Sequence, residues 1–448
     1  MISTVGIVLR FAAIDRSYWT DELATVVNVD VPNWTTVVQI ASRDNQPPLY
    51  NITVFAWTRA FGYSEIAVRS LSVLYGLIAL FTPWLARTSL SRNEKLLNFA
   101  ILCLMSLPIR YAQEARNYSL LFLMSSACLY SYYEMSTASR RSTQVLFHIS
   151  LILLAFSHLF GLMLAVSFLA VMIWRERRVT WRLGLILYAA ALSAAVLVPL
   201  LRGGAGQQAG GNFWITFTVG SVSQELLRIF TPVGILLLAY AFAIWRRTLQ
   251  RVKFNPVLAQ SMMPFVLMFS GCLVISLHSP ILRSHYLIGL IPAYALLTTW
   301  FLQPNVSCSP PIATLVLLFT LALQAVALSF SPFLFVQENL REIAERSIAA
   351  NSKVCYLVPN GTAERARKYL AFYVLKRFNR PDLEPEMIAE SDVPQVPATR
   401  GCNLWAEAHL QKRGVSVLKA LPQFNRCADV PLGRPGVRMA STLIDCRS

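Results

Sequence analysis

Tyr18-Trp19-Thr20-Asp21-Glu22 sets two adjacent carboxylates directly behind a first apolar segment, in a chain whose next three hundred or so residues are hydrophobic enough to be membrane. Of 448 residues, 55% are hydrophobic and 14% charged. Soluble domains carry about 25% charged residues, so the composition excludes an ordinary soluble enzyme and describes a polytopic membrane protein. Only eleven acidic residues occupy the first 337 positions. Carboxylates at a membrane edge are costly to keep, which makes the Asp21-Glu22 pair a functional-site candidate. The bland alternative is a helix cap, with Asp21 capping a helix through Glu22–Val27. Tyr18 and Trp19 suit the membrane–water interface and set the pair at the headgroup level.

Working outward, a span needs about 20 apolar residues to cross roughly 30 Å of hydrocarbon. The clearest spans are Ile66–Arg87, Leu96–Leu107, Ser119–Tyr133, Leu183–Leu201, Leu226–Trp245, Val257–Leu277, Tyr286–Leu302 and Ile312–Phe330. The run Val145–Trp174 is too long for one, and His158 and Gly161 interrupt it, predicting two short helices that meet at an outer turn. Leu96–Leu107 is short and is expected to continue past Pro108. Only fourteen residues precede Asp15, Arg10 among them. That implies a shallow, tilted first helix or a start lacking a few cytoplasmic residues. No small-residue cleavage site separates it from Asp21, which argues against a cleaved signal peptide. Eleven spans result.

Lys and Arg in short loops orient the chain. Arg87–Lys95, Glu134–Gln144, Arg175–Arg182 and Arg246–Lys253 together hold thirteen Lys or Arg against three Glu. The first outer loop, Asp15–Glu65, holds three Arg against six acids. The N-terminus is therefore expected inside and the polar clusters outside. The +17 net charge is mostly cytoplasmic anchoring plus a basic tail. Basic residues split between both faces do not suit nucleic-acid binding.

Residues 1–336 thus read as the transmembrane domain, with its first outer loop at 15–65, and 337–448 as an extracytoplasmic α/β domain. The tail holds 17 Lys or Arg and 12 Asp or Glu, with no span-length apolar run. Lys353–Val358 alternates like a strand, Pro359-Asn360-Gly361 is a turn, and Thr362 can cap a helix running to about Phe378. A second unit, Trp405–Gln411, ends near Gly414 and leads into Val415–Leu421, again strand-like. Cys355, Cys402, Cys427 and Cys446 all lie in this tail. Four cysteines in a small exported domain suggest two disulfides, with all three pairings open. A zinc site needs closer spacing and nearby histidine, and the tail offers only His409.

Three further polar clusters lie on the outer side. Pro32-Asn33 starts a helix whose Trp34, Val37, Val38 and Ala41 fall on one face, suited to lying flat on the membrane. Arg43, Asp44 and Asn45 end it, and Pro47-Pro48 fixes an extended turn before Leu49-Tyr50. In Tyr111-Ala112-Gln113-Glu114-Ala115-Arg116-Asn117-Tyr118, Pro108 is expected to end one helix and a new one to start near Ala112. Gln113, Arg116 and Asn117 would then share one face, with Glu114 and Tyr118 on the neighbouring one. Glu114 and Arg116 can satisfy each other, but Arg110 leaves an excess of positive charge suited to an anionic headgroup. Arg283-Ser284-His285-Tyr286 opens a later span, placing an Arg and a His where they either bind a phosphate or anchor the helix. Gly203–Gly211, with five glycines in nine residues, reads as a gate or as a slack connector. Carboxylates and cations gathered at the bilayer surface suit transfer of a lipid-linked sugar. A carboxylate takes the proton of the attacking hydroxyl, and cations or a metal hold the departing phosphate.

These residues resemble the membrane-embedded GT-C glycosyltransferases, in particular the protein O-mannosyltransferase and lipid A aminoarabinose transferase group. The resemblance rests on Tyr18–Glu22, Asp44…Pro47-Pro48-Leu49-Tyr50, Trp57…Phe61-Gly62-Tyr63-Ser64-Glu65…Arg69, Tyr111–Leu120 and, more weakly, Ser157-His158. It covers Met1–Trp174 well and the later spans loosely. It implies a sugar donor on a polyprenyl phosphate, transfer on the outer face of the inner (plasma) membrane, and inversion at the anomeric carbon. It makes Asp21 the general base with Glu22 in support. Asp44 becomes a second acid that contacts the acceptor or a divalent cation (Mg or Mn). Arg116, Arg283 and His285 become donor-phosphate contacts, and Tyr50, Arg110, Gln113, Glu114, Tyr118 and His158 line the substrate site. No metal-binding motif is present, so an ion would be held by Asp21 or Asp44 and the phosphate. The acceptor is a lipid, a glycan or a protein.

Two other functions compete. A transporter or flippase of lipid-linked sugars tends to show inverted repeats and helices broken at the midplane, and neither is visible here. An O-antigen ligase or polymerase relies on outer-loop arginines and a histidine, without an early Asp-Glu pair. An inactive scaffold fits poorly with a full set of acids.

Overall fold

In the computed structural model the described residues are 2–12, 14–43, 46–138, 140–202, 255–277, 281–283, 285–306, 340–358, 369–389, 402, 404–408, 424, 427–430 and 441–446. In chain order the first helices are α1 (Ile2–Leu9), α2 (Thr20–Val29), α3 (Trp34–Arg43), α4 (Leu49–Phe61) and α5 (Glu65–Leu80). Next come α6 (Arg92–Leu104), α7 (Ser106–Ala112), α8 (Tyr118–Thr137), α9 (Arg141–Ser157), α10 (Leu159–Arg175) and α11 (Val179–Arg202). The last are α12 (Pro256–Ser276), α13 (Ile291–Val306) and α14 (Leu340–Ala349). The chain divides into two compact units: Met1–Ile14, Val31–Trp57 and Arg69–Ser329 form the first, and Asp15–Asp30, Thr58–Val68 and Phe330–Ser448 the second. The segment 15–65, a single outer loop in the sequence reading, is thus shared between them.

The described part of the first unit is helical. At its centre α8 is buried along nearly its whole length, packed against α9 and the 3-10 turn Thr82–Leu85. The eight residues of α1 span only about 12 Å. The helix lies close on α6: a Cβ at Gly6 would stand 2.6 Å from the carbonyl oxygen of Cys103. Arg10, fully buried, donates from Nη1 to the carbonyls of Gly6 (2.6 Å) and Cys103 (3.2 Å), and from Nη2 to that of Leu102 (3.1 Å). The guanidinium thereby satisfies carbonyls at the open C-terminus of α6, which the helix itself leaves unpaired.

Among the described residues two apolar helices, α11 and α12, are long enough to cross a membrane, and the α6–α7 pair, bent by 61°, counts as a third if taken as one broken span. Arg141–Ser157, Leu159–Arg175 and Tyr286–Trp300 are shorter apolar helices. The predicted spans Leu226–Trp245 and Ile312–Phe330, the Gly-rich segment at 203–211 and Asp44 lie outside the described residues. The break expected in Val145–Trp174 falls at His158, whose extended backbone (φ −164°, ψ 154°) separates α9 from α10. Gly161 makes that junction compact, since a Cβ there would clash with the Leu154 carbonyl oxygen.

The Tyr111–Tyr118 cluster is built differently from its sequence reading. The helix ends at Leu104, not at Pro108, and the bend is at Met105 (φ −63°, ψ 123°). Pro108 instead lies in the first turn of α7, where its missing N–H leaves no bond unmade. No helix starts at Ala112: residues 113–117 are turns and the next helix begins at Tyr118. The shared helical face of Gln113, Arg116 and Asn117 therefore does not exist.

In the second unit a five-stranded sheet contains β1 (Val354–Val358), β2 (Glu386–Ala389), β3 (Leu404–Ala408), β4 (Ala428–Val430) and β5 (Ser441–Asp445). The order is β2-β1-β3-β5-β4. β1 runs parallel to β2 and β3, while β5 is antiparallel to β3 and β4. Cys355, Leu357, Ile388, Cys402, Trp405, Phe424 and Ile444 form its core, with the Trp405 ring 4.9 Å from Phe424. Trp405, which opens a separate unit in the sequence reading, lies inside strand β3. Val415–Leu421 lies outside the described residues, as do the turn at 359–361 and residues 362–368 at the start of the helix expected from Thr362; the stretch Phe372–Arg377 is a π-helical turn. The disulfides pair Cys355 with Cys402 and Cys427 with Cys446. They close loops with sequence separations of 47 and 19 residues, which by chain entropy stabilises the fold by roughly 4 and 3 kcal/mol.

Candidate active site

In the first unit, helix breaks place the functional side chains. The turn after α7 is held by the Gln113 N–H on the Arg110 carbonyl (3.0 Å) and the Arg116 N–H on that of Glu114 (2.8 Å). Arg110 Nε lies 3.4 Å from Glu114 Oε1, so Glu114 pairs with Arg110 at i−4, four residues before it. Asn117 donates from Nδ2 to Gln46 Oε1 (2.8 Å) and to the Ser157 carbonyl (3.2 Å), tying this turn to the segment before α4 and to the end of α9. His158 caps α10, its Nδ1 accepting the Phe160 N–H at 3.0 Å. In the neutral imidazole that fixes the proton on Nε2. This atom is buried and has no hydrogen-bond partner among the described residues, an arrangement that costs about 1–3 kcal/mol until an acceptor arrives.

Three distant stretches then meet at one ring. Tyr118 lies 4.8 Å from Tyr111, 5.2 Å from His285, 5.9 Å from His158 and 6.4 Å from Tyr286 between ring centroids. His285 and Tyr286 are 4.2 Å apart, and Phe160 stacks on Tyr286 at 4.8 Å. Arg116 lies over Tyr118 (5.8 Å) and Arg110 over Tyr111 (5.3 Å). The cluster combines apolar ring faces with two Arg and two His, a surface able to bind an anion attached to an apolar chain. Arg283 starts the turn into this cluster, its carbonyl accepting the N–H groups of Tyr286 (3.1 Å) and Leu287 (3.3 Å). Two predicted site residues have internal partners. Gln113 donates from Nε2 to the Leu9 carbonyl at 2.7 Å. Tyr50 is buried, its hydroxyl 3.0 Å from Ser72 Oγ.

The second unit carries Asp21 and Glu22. Trp19 is the N-cap of α2, and Glu22, fully buried, accepts the Trp19 N–H on Oε2 at 3.2 Å. Glu22, rather than Asp21, thus does the capping, reaching back as in a capping box. Asp21 stands one position earlier in the first turn, partly exposed. Both charges sit at the helix end that favours anions.

Glu65, present in the quoted motif but not among the expected site residues, is the charged hub of this unit. It is 2% exposed and accepts from the Tyr373 hydroxyl at 3.2 Å. Arg341 Nη1 lies 3.3 Å and Arg377 Nε 4.0 Å from its carboxylate. The signal for it in the sequence was an acid immediately before an apolar run. Among the described residues the one cluster of three potential metal ligands is Cys355, Glu386 and Cys402. Its two thiols are joined as a disulfide, so this donor set does not suit an ion.

The helical unit with its broken helices and the small mixed sheet belong to one chain whose fold is of the GT-C type. The same fold is found in ArnT, the lipid A aminoarabinose transferase, from Cupriavidus metallidurans. Its apo structure matches with a TM-score of 0.58 at 15% identity, over 99% of this chain and 96% of that one. The structure bound to undecaprenyl phosphate matches with a TM-score of 0.54 at 15% identity, over 99% and 97%. No family model and no curated protein matches the sequence.

Proposed function

We propose that this chain is an integral inner-membrane glycosyltransferase that takes a sugar from a polyprenyl phosphate and places it on an acceptor hydroxyl at the extracytoplasmic face. The observation that carries this reading is the meeting of Arg116, His158 and His285 around Tyr118, within a fold whose solved example binds undecaprenyl phosphate. In the reaction Asp21 takes the proton of the acceptor hydroxyl as its oxygen attacks the anomeric carbon from the side opposite the phosphate, inverting the centre. Glu22 holds the first turn of α2 in place. Arg116, Arg283 and His285 receive the negative charge that develops on the departing phosphate, and the His158 N–H offers it a further donor. The polyprenyl chain stays among the apolar helices. Eleven spans put the C-terminal sheet on the same extracytoplasmic side, where its disulfides form. Asp44 contacts the acceptor or, together with the phosphate, a divalent cation.

The test uses purified protein in liposomes, radiolabelled polyprenyl-phosphate sugars and a membrane extract as acceptor. Wild type, Asp21→Asn and His285→Ala are compared with and without chelator. Label should reach an acceptor with the wild type and not with Asp21→Asn, His285→Ala should transfer with a raised donor KM, and the chelator arm decides the role of a cation. If Asp21→Asn transfers at the wild-type rate, Asp21 is not the base.

A further inference from the structure

One turn of the C-terminal chain grips both ends of the helix that carries Asp21 and Glu22. The π-helical turn Phe372–Arg377 presents Tyr373, Lys376 and Arg377. The Tyr373 hydroxyl accepts the Tyr18 N–H at 2.9 Å and donates to Glu65 Oε1 at 3.2 Å. Lys376 Nζ lies 2.9 Å from Asp30 Oδ1, and Asp30 is the C-cap of α2. Arg341, already on Glu65, also donates to the Asp15 carbonyl at 2.6 Å and from its backbone N–H to Ser17 Oγ at 3.4 Å. Tyr18 and Tyr373 are fully buried and Glu65 is 2% exposed.

We infer that Tyr373 is a positioning residue for sugar transfer, fixing the Tyr18–Glu22 segment and through it the direction of the Asp21 carboxylate. The inference rests on Asp21 being the base. Tyr18 stands one residue before the N-cap, so its N–H is not used by the helix and, being buried, needs an acceptor. Only a hydroxyl accepts from that N–H and at the same time donates to the Glu65 carboxylate. The rings of Tyr18 and Phe372 lie 6.3 and 5.6 Å from that of Tyr373 between centroids, and Tyr63 packs on Phe372 at 6.2 Å. Tyr373→Phe keeps that packing and deletes the bridge together with the 3.4 Å hydrogen bond between the Tyr373 hydroxyl and Ser17 Oγ. A catalytic group displaced by about 1 Å costs on the order of a hundredfold in rate.

The experiment is steady-state transfer by full-length protein in liposomes, with a polyprenyl-phosphate sugar as the varied donor, for wild type, Tyr373→Phe, Glu65→Gln and Asp21→Asn. Hydrogen exchange is followed over residues 15–22 and over strands β1 and β3. Tyr373→Phe should lower kcat about tenfold to a hundredfold while the donor KM stays within about twofold. Exchange should rise at 15–22 and not in the strands, and adding Tyr373→Phe to Asp21→Asn should cost nothing more. A wild-type kcat in Tyr373→Phe, or a loss seen only in KM, overturns the inference. Should Tyr373→Phe open the sheet, Glu65→Gln decides: it keeps the ring and the Tyr18 bond, and it must also lower kcat at constant KM. An inactive wild type overturns the functional reading and this inference with it. An active wild type with inactive Asp21→Asn and full-rate Tyr373→Phe overturns the inference alone.

Discussion

The ring and cation cluster around Tyr118 and the carboxylates at the start of α2 are built by opposite means. Around Tyr118 the side chains are aimed by breaks in the backbone: the bend at Met105, the turn at 113–117 and the single extended residue His158. At α2 the backbone is a regular helix, and what holds its entry is a set of hydrogen bonds and ion pairs from residues more than 300 positions later. Geometry set by a backbone break depends on local sequence. Geometry set by distant partners depends on the C-terminal sheet being folded. The first region should therefore be sensitive to changes in backbone shape, and the second to the integrity of the tail.

The largest effect that would break the comparison is at Asp21. Asp21→Asn should lower transfer by about 10²–10⁴ with donor binding retained, as for loss of a general base, measured as kcat against donor KM. Next is the tail. Replacing Cys355 and Cys402 together by serine should cost roughly 4 kcal/mol in the second unit, read as earlier unfolding by Trp405 fluorescence. Donor binding at the Tyr118 cluster should persist, and its loss would show that the two regions are not separately built. Arg116→Ala should raise the donor KM about tenfold to a hundredfold, the worth of one charge-assisted contact, with little change in the unfolding of the tail. Gly161→Ala should cost about 1–3 kcal/mol through the clash with the Leu154 carbonyl. By shifting His158 it should weaken donor binding, and an unchanged KM would mean that the α9–α10 break does not aim the histidine. The smallest effect is at Asp382. Its carboxyl is held below the ordinary range by its hydrogen bond to Arg380. That contribution is present above the ordinary carboxylate pKa and fades as pH falls through the lowered value. Both groups are exposed, so Asp382→Asn should leave transfer and unfolding unchanged at neutral pH.

Much of this was legible in the chain. The interruption in Val145–Trp174 predicted two helices meeting near His158, because a polar residue and a glycine in an apolar run are local facts. The Asp21-Glu22 pair stood out because carboxylates are rare in the first 337 residues. Pro108 misled, since a proline reads equally as the end of one helix or as the first turn of the next, and here it is the second. The alternative that Asp21 caps the helix did not hold: Glu22 is the residue that reaches back to the Trp19 N–H.

The amino-acid sequence by itself determined that this protein is a multi-helix chain of membrane composition, poor in acids over its first 337 residues, with a polar tail that carries four cysteines. Composition and apolar run length are enough for that. Only the tertiary structure decided that Tyr118 collects His158 and His285, that Cys355 pairs with Cys402, and that Glu65 joins Tyr373 across 308 positions. Those contacts depend on how helices and strands pack, and periodicity along a chain carries no information about which distant residue arrives at a given surface.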